Sequence, residues 1–321
     1  MDLLTPARRV KHRVFLARRD RRLRREAAAQ RQDPGFRARY ARVSAGMDLP
    51  ELPHHRGVWA VAMVRNEADV IETSLRHLVA QGVEHILVVD NMSEDETPAV
   101  LTRLAAELPG LHVGRDTVAA YHQSEKMTFL ADRVASAGAT FVIPFDADEL
   151  WFAPRGRLAD VLTASAAPLQ RAHLFNLFPE ADAPGWRLDP VRHFDDKVAF
   201  RPARNAIVAM GNHEVTRPGR QDPDGLRILH LPWRSFDQFA RKTRVGAAAV
   251  ALADLPEDKA YHWRRLGAAD DDALRAMWRE LLAGRPVTDA AWYPRGELVT
   301  VGERLPTSWS EVERLLPTAP R

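Results

Sequence analysis

The chain contains no cysteine. That excludes disulfides, a thiolate zinc site and a cysteine nucleophile, and it fits a reducing compartment. No apolar run approaches the roughly 18 residues that a membrane-crossing helix needs. The first residues are too charged to supply the apolar core of a secretory signal, so a cytoplasmic location is expected. A glycine-rich phosphate loop is missing too. Neither of its two common patterns follows the first strand-like run at 58–64, which argues against a P-loop NTPase and against a dinucleotide enzyme.

What is present is a chain of 321 residues, 45% hydrophobic, long enough to bury one large core with appendages. Its net charge of +3 hides an asymmetry. Residues 1–45 hold 14 Lys/Arg and 4 Asp/Glu, a net of +10, whereas the remaining 32 basic and 39 acidic residues leave −7. The basic character belongs to an N-terminal arm. From Ala7 to Gln30 it carries the pairs Arg8-Arg9, Arg18-Arg19, Arg21-Arg22 and Arg24-Arg25, with Val10, Val14, Leu16 and Leu23 at loosely helical spacing. Such a helix suits an anionic membrane surface on the inner face of a membrane, less so nucleic acid, and equally a solvated extension. Asp33-Pro34-Gly35 ends it, and Leu49-Pro50-Glu51-Leu52-Pro53 reads as a linker.

From Val58 strands and helices alternate. Strands are expected at 58–64, 85–89, 111–113 and from Phe141, and amphipathic helices at 69–81, 96–108 and 124–137, the first closed by Gly82. Ile86-Leu87-Val88-Val89 is apolar on both faces, as a buried parallel strand requires. The order βαβαβαβ predicts an α/β fold, a mostly parallel central sheet flanked by helices. Ligands of such sheets lie beyond the carboxyl ends of the strands.

Polar residues collect at those ends: Arg65-Asn66-Glu67 after the first strand, Asp90 through Thr97 after the second, Asp146-Ala147-Asp148-Glu149 after the fourth. Asp95 and Thr97 also suit a helix cap. Asp146 and Asp148, one residue apart in extended chain, project the same way and offer hard oxygen ligands for Mg²⁺ or Mn²⁺. Carboxylates gathered on one rim repel unless a cation or ligand donors offset them.

The ordered set Val61-Ala62-Met63-Val64-Arg65-Asn66-Glu67, Val88-Val89-Asp90-Asn91-Met92-Ser93-Glu94-Asp95-Glu96-Thr97 and Phe145-Asp146-Ala147-Asp148-Glu149 resembles the signatures of family 2-type glycosyltransferases with the GT-A fold. The likeness is greatest to the bacterial branch carrying R-N-E, D-N-x-S-x-D and D-A-D-E. It implies a GT-A domain over 56–246 between the basic arm (1–45) and a mainly helical C-terminal extension (247–321). It also implies transfer of a hexosyl group, with inversion, from a nucleotide-sugar donor to a glycan or other hydroxyl acceptor in polysaccharide or glycoconjugate synthesis. By the same resemblance Asn66 and Glu67 line the nucleotide site and Asp90 contacts the base, with Arg65, Asp95 and Lys242 counted alongside. Asp146 and Asp148 would hold the divalent cation. Where many members read D-D-G-S, this chain has Asp90-Asn91-Met92-Ser93, which leaves Asn91 and Met92 without a role to carry over.

In the second half, strands are expected at 171–177, 197–201, 206–210 and 226–229. A histidine at a strand end is ordinarily structural, yet the resemblance offers His230 as a further metal ligand, with His213 as runner-up. Ser235 to Gln238 reads as a capping box opening a helix with Arg241, Lys242 and Arg244. Lys242 faces either the diphosphate or solvent. An inverting transfer needs a base at the acceptor hydroxyl. The candidates are Glu149, Asp195, Asp196, His213 and Glu214, the His213-Glu214 corner being preferred. Two other readings stay open: a metal-dependent nucleotidyl or phosphoryl transferase, and a non-catalytic nucleotide-binding relative tethered by its arm.

Overall fold

Alternate residues of the apolar runs go to opposite faces of one sheet, and each face finds a helical cover. Ala60, Ala62 and Val64 pack with Ile71, Leu75, Leu78, Leu101 and Leu104, while Trp59, Val61, Leu87 and Val89 pack with Met127, Leu130 and Val134. Burial on both faces is what makes these strands continuous hydrophobic runs.

The computed structural model describes residues 6–253 and 261–316. Helices α1 (Pro6–Gln32) and α2 (Pro34–Gly46) come first, then β1 (Met47–Asp48). The alternating unit is β2 (Val58–Val64), α3 (Ile71–Ala80), β3 (His85–Asp90), α4 (Thr97–Glu107), β4 (Leu111–Asp116), α5 (Gln123–Ser136) and β5 (Phe141–Pro144). Next come β6 (Glu149–Phe152), α6 (Leu158–Ala164), β7 (Leu169–Pro179), β8 (Trp186–Leu188), β9 (Lys197–Phe200) and β10 (Gln221–His230). The chain continues with α7 (Phe236–Ala251), α8 (Tyr261–Gly267), α9 (Asp271–Leu282), β11 (Val299–Gly302) and α10 (Trp309–Leu315). No helix among the described residues is long and apolar enough to cross a membrane.

The main sheet runs β1-β4-β3-β2-β5-β9-β7-β10-β6. Its centre, β4-β3-β2-β5, is parallel throughout. Beyond it β9 is antiparallel to both neighbours, β10 is parallel to β7, and β6 returns antiparallel to β10. The chain builds outward from β2 to β4 and then crosses to β5 on the other side of β2. Strand order therefore reverses at β2, where a ligand crevice is expected.

Four strands, β1, β6, β8 and β11, go beyond those expected from the sequence; each is only two to four residues long. The strand expected at 206–210 does not form. That segment makes a single bridge, Val208 to Val215, and turns through a 3₁₀ step at Met210–Asn212. Gly211 (φ 77°) and Asn212 (φ 58°) take left-handed backbone there, which breaks an extended run. The capping box at α7 is present: Ser235 Oγ accepts from Gln238 N at 3.1 Å, and Gln238 Oε1 accepts from Arg234 N at 3.1 Å.

The N-terminal segment divides differently from an arm plus linker. Phe36 and Val43 of α2 are buried. Tyr40 sets its ring against Phe129 at 5.8 Å and donates to Asp132 at 2.8 Å. Arg31 grips Asp132 in a two-pronged ion pair at 2.9 and 3.0 Å. β1 pairs with β4, and Leu49 and Leu52 pack on the α5 side of the core. The side chains of residues 6–16, hence those of Arg8, Arg9, Val10, Val14 and Leu16, lie outside the described residues. Residues 247–253 and 261–316 likewise pack onto the sheet rather than standing apart. Trp263, Leu266, Leu274 and Leu281 join Phe178, Trp233 and Phe239, and Trp309 and Val312 join Leu150, Phe152 and Leu229.

Candidate active site

A cavity of about 300 Å³ opens where the strand order reverses. Glu67, after β2, and Asp146 and Asp148, after β5, line it. The turn from β5 into β6 passes through the two aspartates, and the pairing of β6 with β10 sets His230 opposite Glu149. Leu231 N donates to the Asp148 carbonyl at 2.8 Å, tying the end of β10 to the same turn. His230 therefore reaches the aspartates by sheet register, from 82 positions along the chain.

The carboxylates are matched by cations from the second half of the chain. Asp146 accepts from Lys197 Nζ at 2.6 Å and from Asn212 Nδ2 at 3.0 Å. Asp148 Oδ2 lies 2.5 Å from Lys242 Nζ, 3.6 Å from His230 Nε2 and 3.7 Å from Arg234. Arg234 also holds Glu67 and, at 2.7 and 2.9 Å, Asp69. Buried Glu149 accepts from Trp151 Nε1 at 3.0 Å and from Asp146 N at 3.1 Å, with Lys197 Nζ 2.9 Å from its other oxygen.

These contacts set the proton affinities. Burial would raise the Asp148 carboxyl, but Lys242, His230 and Arg234 outweigh it and hold it well below the usual carboxylate range. For Glu67 burial prevails over Lys242 and Arg234, and its carboxyl is raised. Burial also pushes Glu149 up to about 7, Lys197 offsetting part of it while Asp146 and Asp148 add to it. Burial would lower Lys242, but Asp148 and Glu67 raise it. Burial depresses His230 despite Asp148, and burial with the nearby Lys197 charge depresses His213. Both imidazoles are thus held neutral.

His230 has a fixed orientation, since its Nδ1 meets Asn176 Oδ1 at 2.9 Å. A side-chain acceptor on one ring nitrogen fixes the tautomer and leaves the other as a ligand. His213 is held the same way, its Nδ1 donating to the Asp196 carbonyl at 2.9 Å. No group of three or more His, Asp or Glu among the described residues is already arranged as a metal cage.

Of the residues singled out from sequence, Arg65, Asn66, Glu67, Asp146, Asp148, His213, His230 and Lys242 line the cavity. The others lie elsewhere. Asp90 ends β3 and accepts from Ser93 N at 3.3 Å, while its neighbour Asn91 faces the cavity. Asp95 accepts from Thr97 N at 2.9 Å and from its hydroxyl at 2.5 Å, the cap-like role open to it from the start. Glu214 points to solvent, its side chain 72% exposed and 3.6 Å from Arg171. Asp196 is taken up by Arg192 and His173.

Lys197, Arg234, Asn176 and Asn212 were not foreseen. Lys197 opens a short apolar strand and Arg234 follows Trp233 in a loop, so neither bears a local mark of a buried ion pair. Asn91 anchors a second buried network. Its Nδ2 donates to Asp116 Oδ2 at 2.9 Å, and Asp116 pairs with Lys126 at 2.7 Å. Trp263 and Trp292, from the C-terminal region, and Tyr121 supply the aromatic wall.

Among solved structures, the chain is similar to the mannosyltransferase PcManGT from Pyrobaculum calidifontis, in complex with GDP-Man and Mn²⁺. Identity is 18%, over 84% of this chain and 89% of that one, with a TM-score of 0.38. It is also similar to S. aureus TarS 1–349, at 13% identity over 66% and 69% and a TM-score of 0.38. The UDP complex of TarS 1–349 matches at 14% over 66% and 70%, with a TM-score of 0.34. No curated protein matches the chain. The family model described as glycosyl transferase family 2 matches residues 60–163, which span Asn66, Glu67, Asp90, Asp146 and Asp148. The match thus covers the part of the chain that carries Glu67, Asp146 and Asp148, and leaves His230 and Lys242 outside it.

Proposed function

We propose that the protein transfers a sugar from a nucleotide-sugar donor to an acceptor hydroxyl, with a divalent cation held by Asp146, Asp148 and His230. The observation that carries this reading is the convergence of those three side chains on one cavity at the point of strand reversal. The donor set fits such an ion. Two hard carboxylate oxygens and one neutral imidazole suit Mn²⁺ or Mg²⁺, His230 is held by Asn176 as a ligand histidine usually is, and ammonium groups now occupy the aspartates. When bound, the ion would stabilise negative charge on the departing diphosphate as a Lewis acid.

The protein's own residues supply the rest. Lys242 and Arg241 on α7 line the cavity and offer donors to phosphate oxygens. His213 is the base of choice for the acceptor. Donating through Nδ1 leaves its Nε2 lone pair free, and its depressed proton affinity keeps it neutral near pH 7. A base on the acceptor side is the arrangement of an inverting transfer. Glu149, buried against Lys197, orients the aspartate turn. Along α1, Arg18, Arg21, Arg22, Arg24 and Arg25 are exposed, which supports an anionic membrane surface as the place of action.

Thermal-shift screening of nucleoside diphosphates and nucleotide sugars, with and without Mn²⁺, tests the reading, since a ligand selective for the folded state raises its midpoint. A metal-dependent rise with one nucleotide class, and release of nucleoside diphosphate on turnover, are expected. Release of inorganic pyrophosphate from a nucleoside triphosphate would replace it with the nucleotidyl-transferase reading.

A further inference from the structure

Lys197 and Lys242 each sit on one aspartate of the D-x-D, but their settings differ. Lys197 is 6% exposed and wedged between two carboxylates, Asp146 at 2.6 Å and Glu149 at 2.9 Å. Lys242 is 21% exposed, lines the cavity from α7, and has one close partner, Asp148 Oδ2 at 2.5 Å, with Glu67 Oε1 at 3.6 Å. A lysine ammonium is a point charge on a flexible stem, without the fixed fork of an arginine. Of the cations here, Lys242 is the one built to move.

Asp148 Oδ2 is also the oxygen that faces His230 Nε2 at 3.6 Å. A divalent ion bonds its oxygen ligands at about 2.1 Å. An ammonium and a divalent cation on the same carboxylate oxygen would lie a few ångströms apart and repel strongly in a dry site. Glu67, Asp146 and Asp148 on the cavity wall are each met by a cation, Lys197, Lys242 or the adjoining Arg234, and Arg65 and Arg241 also line the wall. A metal alone adds two positive charges to this set, and a diphosphate alone two negative ones. Entering together, they leave the balance unchanged.

On the reading of the site given above, we propose that Lys242 is an exchangeable counter-ion. It neutralises Asp148 while the cation is absent, gives up that oxygen when the cation binds, and then seats on the donor's diphosphate. Lys242 thereby couples metal and donor binding, each raising the affinity for the other, a coupling that is reciprocal by thermodynamic necessity.

The test uses the full chain and Lys242→Met, a substitution that keeps the length of the stem and removes the charge. Mn²⁺ alone is titrated by the loss of the free-ion electron paramagnetic resonance signal, and pyrophosphate is titrated calorimetrically at saturating Mn²⁺. Lys242→Met should bind Mn²⁺ alone roughly tenfold more tightly, because a competitor is gone, and pyrophosphate roughly tenfold more weakly. Changes of the same sign, or none, would overturn the exchange and leave the metal site standing. Wild type that takes up no Mn²⁺, alone or with pyrophosphate, would overturn both. Amine-reactive labelling of wild type, read by peptide mass spectrometry, needs no variant. Mn²⁺ should raise Lys242 labelling and pyrophosphate added afterwards should lower it, whereas labelling indifferent to Mn²⁺ would overturn the exchange.

Discussion

The two halves of the sheet contribute opposite charges to one cavity. The parallel half, β2 to β5, brings Glu67, Asp146 and Asp148. The half beyond β5 brings Lys197 at the start of β9, His230 at the end of β10, Arg234 in the loop that follows and Lys242 on α7. Neither half is satisfied alone, since a buried carboxylate or ammonium without its partner is expensive. The carboxylates lie within a few residues of recognisable strand ends, so they form motifs. The cations are scattered over some 45 positions and meet their partners only when the halves close.

The comparison breaks most completely at Asp148. Asp148→Asn is expected to lower turnover of whichever donor the screen identifies by about a thousandfold and to abolish Mn²⁺ uptake. Its melting midpoint should also fall, because Lys242 and Arg234 lose a buried partner, and retained Mn²⁺ affinity would remove Asp148 from the metal set. On the cationic side, Arg234→Met leaves Glu67 and Asp148 short of a partner. A loss of about 3–5 kcal/mol is expected in urea unfolding, and an unchanged midpoint would mean the pairs contribute nothing net.

The N-terminal segment extends the comparison to a region outside the cavity. Deleting residues 1–45 removes Phe36, Tyr40 and Val43 from the face of α5 and should lose about 4 kcal/mol or more. Deleting only residues 1–30 should leave the midpoint within a few degrees. Equal stability of the two truncations would show that α2 is as dispensable as α1.

A smaller effect concerns His77, whose Nε2 meets the Trp151 carbonyl at 2.8 Å and whose proton affinity burial lowers to about 4. Since the folded state disfavours the proton, its stability contribution is complete above the unfolded value of about 6.5 and is lost as pH falls from there toward 4. About 3 kcal/mol should disappear across that window, and His77→Phe should flatten this part of the profile. An unchanged slope in the variant would assign the loss to other groups. The smallest effect is the arm's. Binding of the full chain to anionic vesicles should fall steeply between low and physiological salt, because screening acts within about 8 Å, and the 1–30 deletion should not bind. Equal binding of both at low salt would remove α1 from the interaction.

Much of the carboxylate side was legible because its signals are local. Runs such as Val58–Val64 and His85–Asp90 are buried on both faces and declare themselves as strands, and the helices between them keep one apolar face. Asp146 and Asp148 were expected in extended chain; they lie instead in the turn between β5 and β6, which still brings both to the cavity. Asp95 carries the same residue type on the same rim, yet its Oδ1 is taken by Thr97 and its Oδ2 accepts from Ala68 N at 3.4 Å. Composition at a strand end cannot separate a cap from a ligand.

The sequence by itself determined the α/β alternation, the acidic rim and the basic helix at the N-terminus, each a property of neighbours along the chain. Only the tertiary structure decided that Lys197, Arg234 and Lys242 neutralise that rim, and that α2 and the C-terminal aromatics belong to the body. It also decided that His230 faces Asp148 while Glu214, a candidate base, points to solvent. The reason is physical: the antiparallel pairing of β6 with β10 sets Glu149 opposite His230. That register is fixed by long-range packing of Leu150, Phe152 and Leu229 with Trp309, which leaves no trace at either strand's own position in the chain.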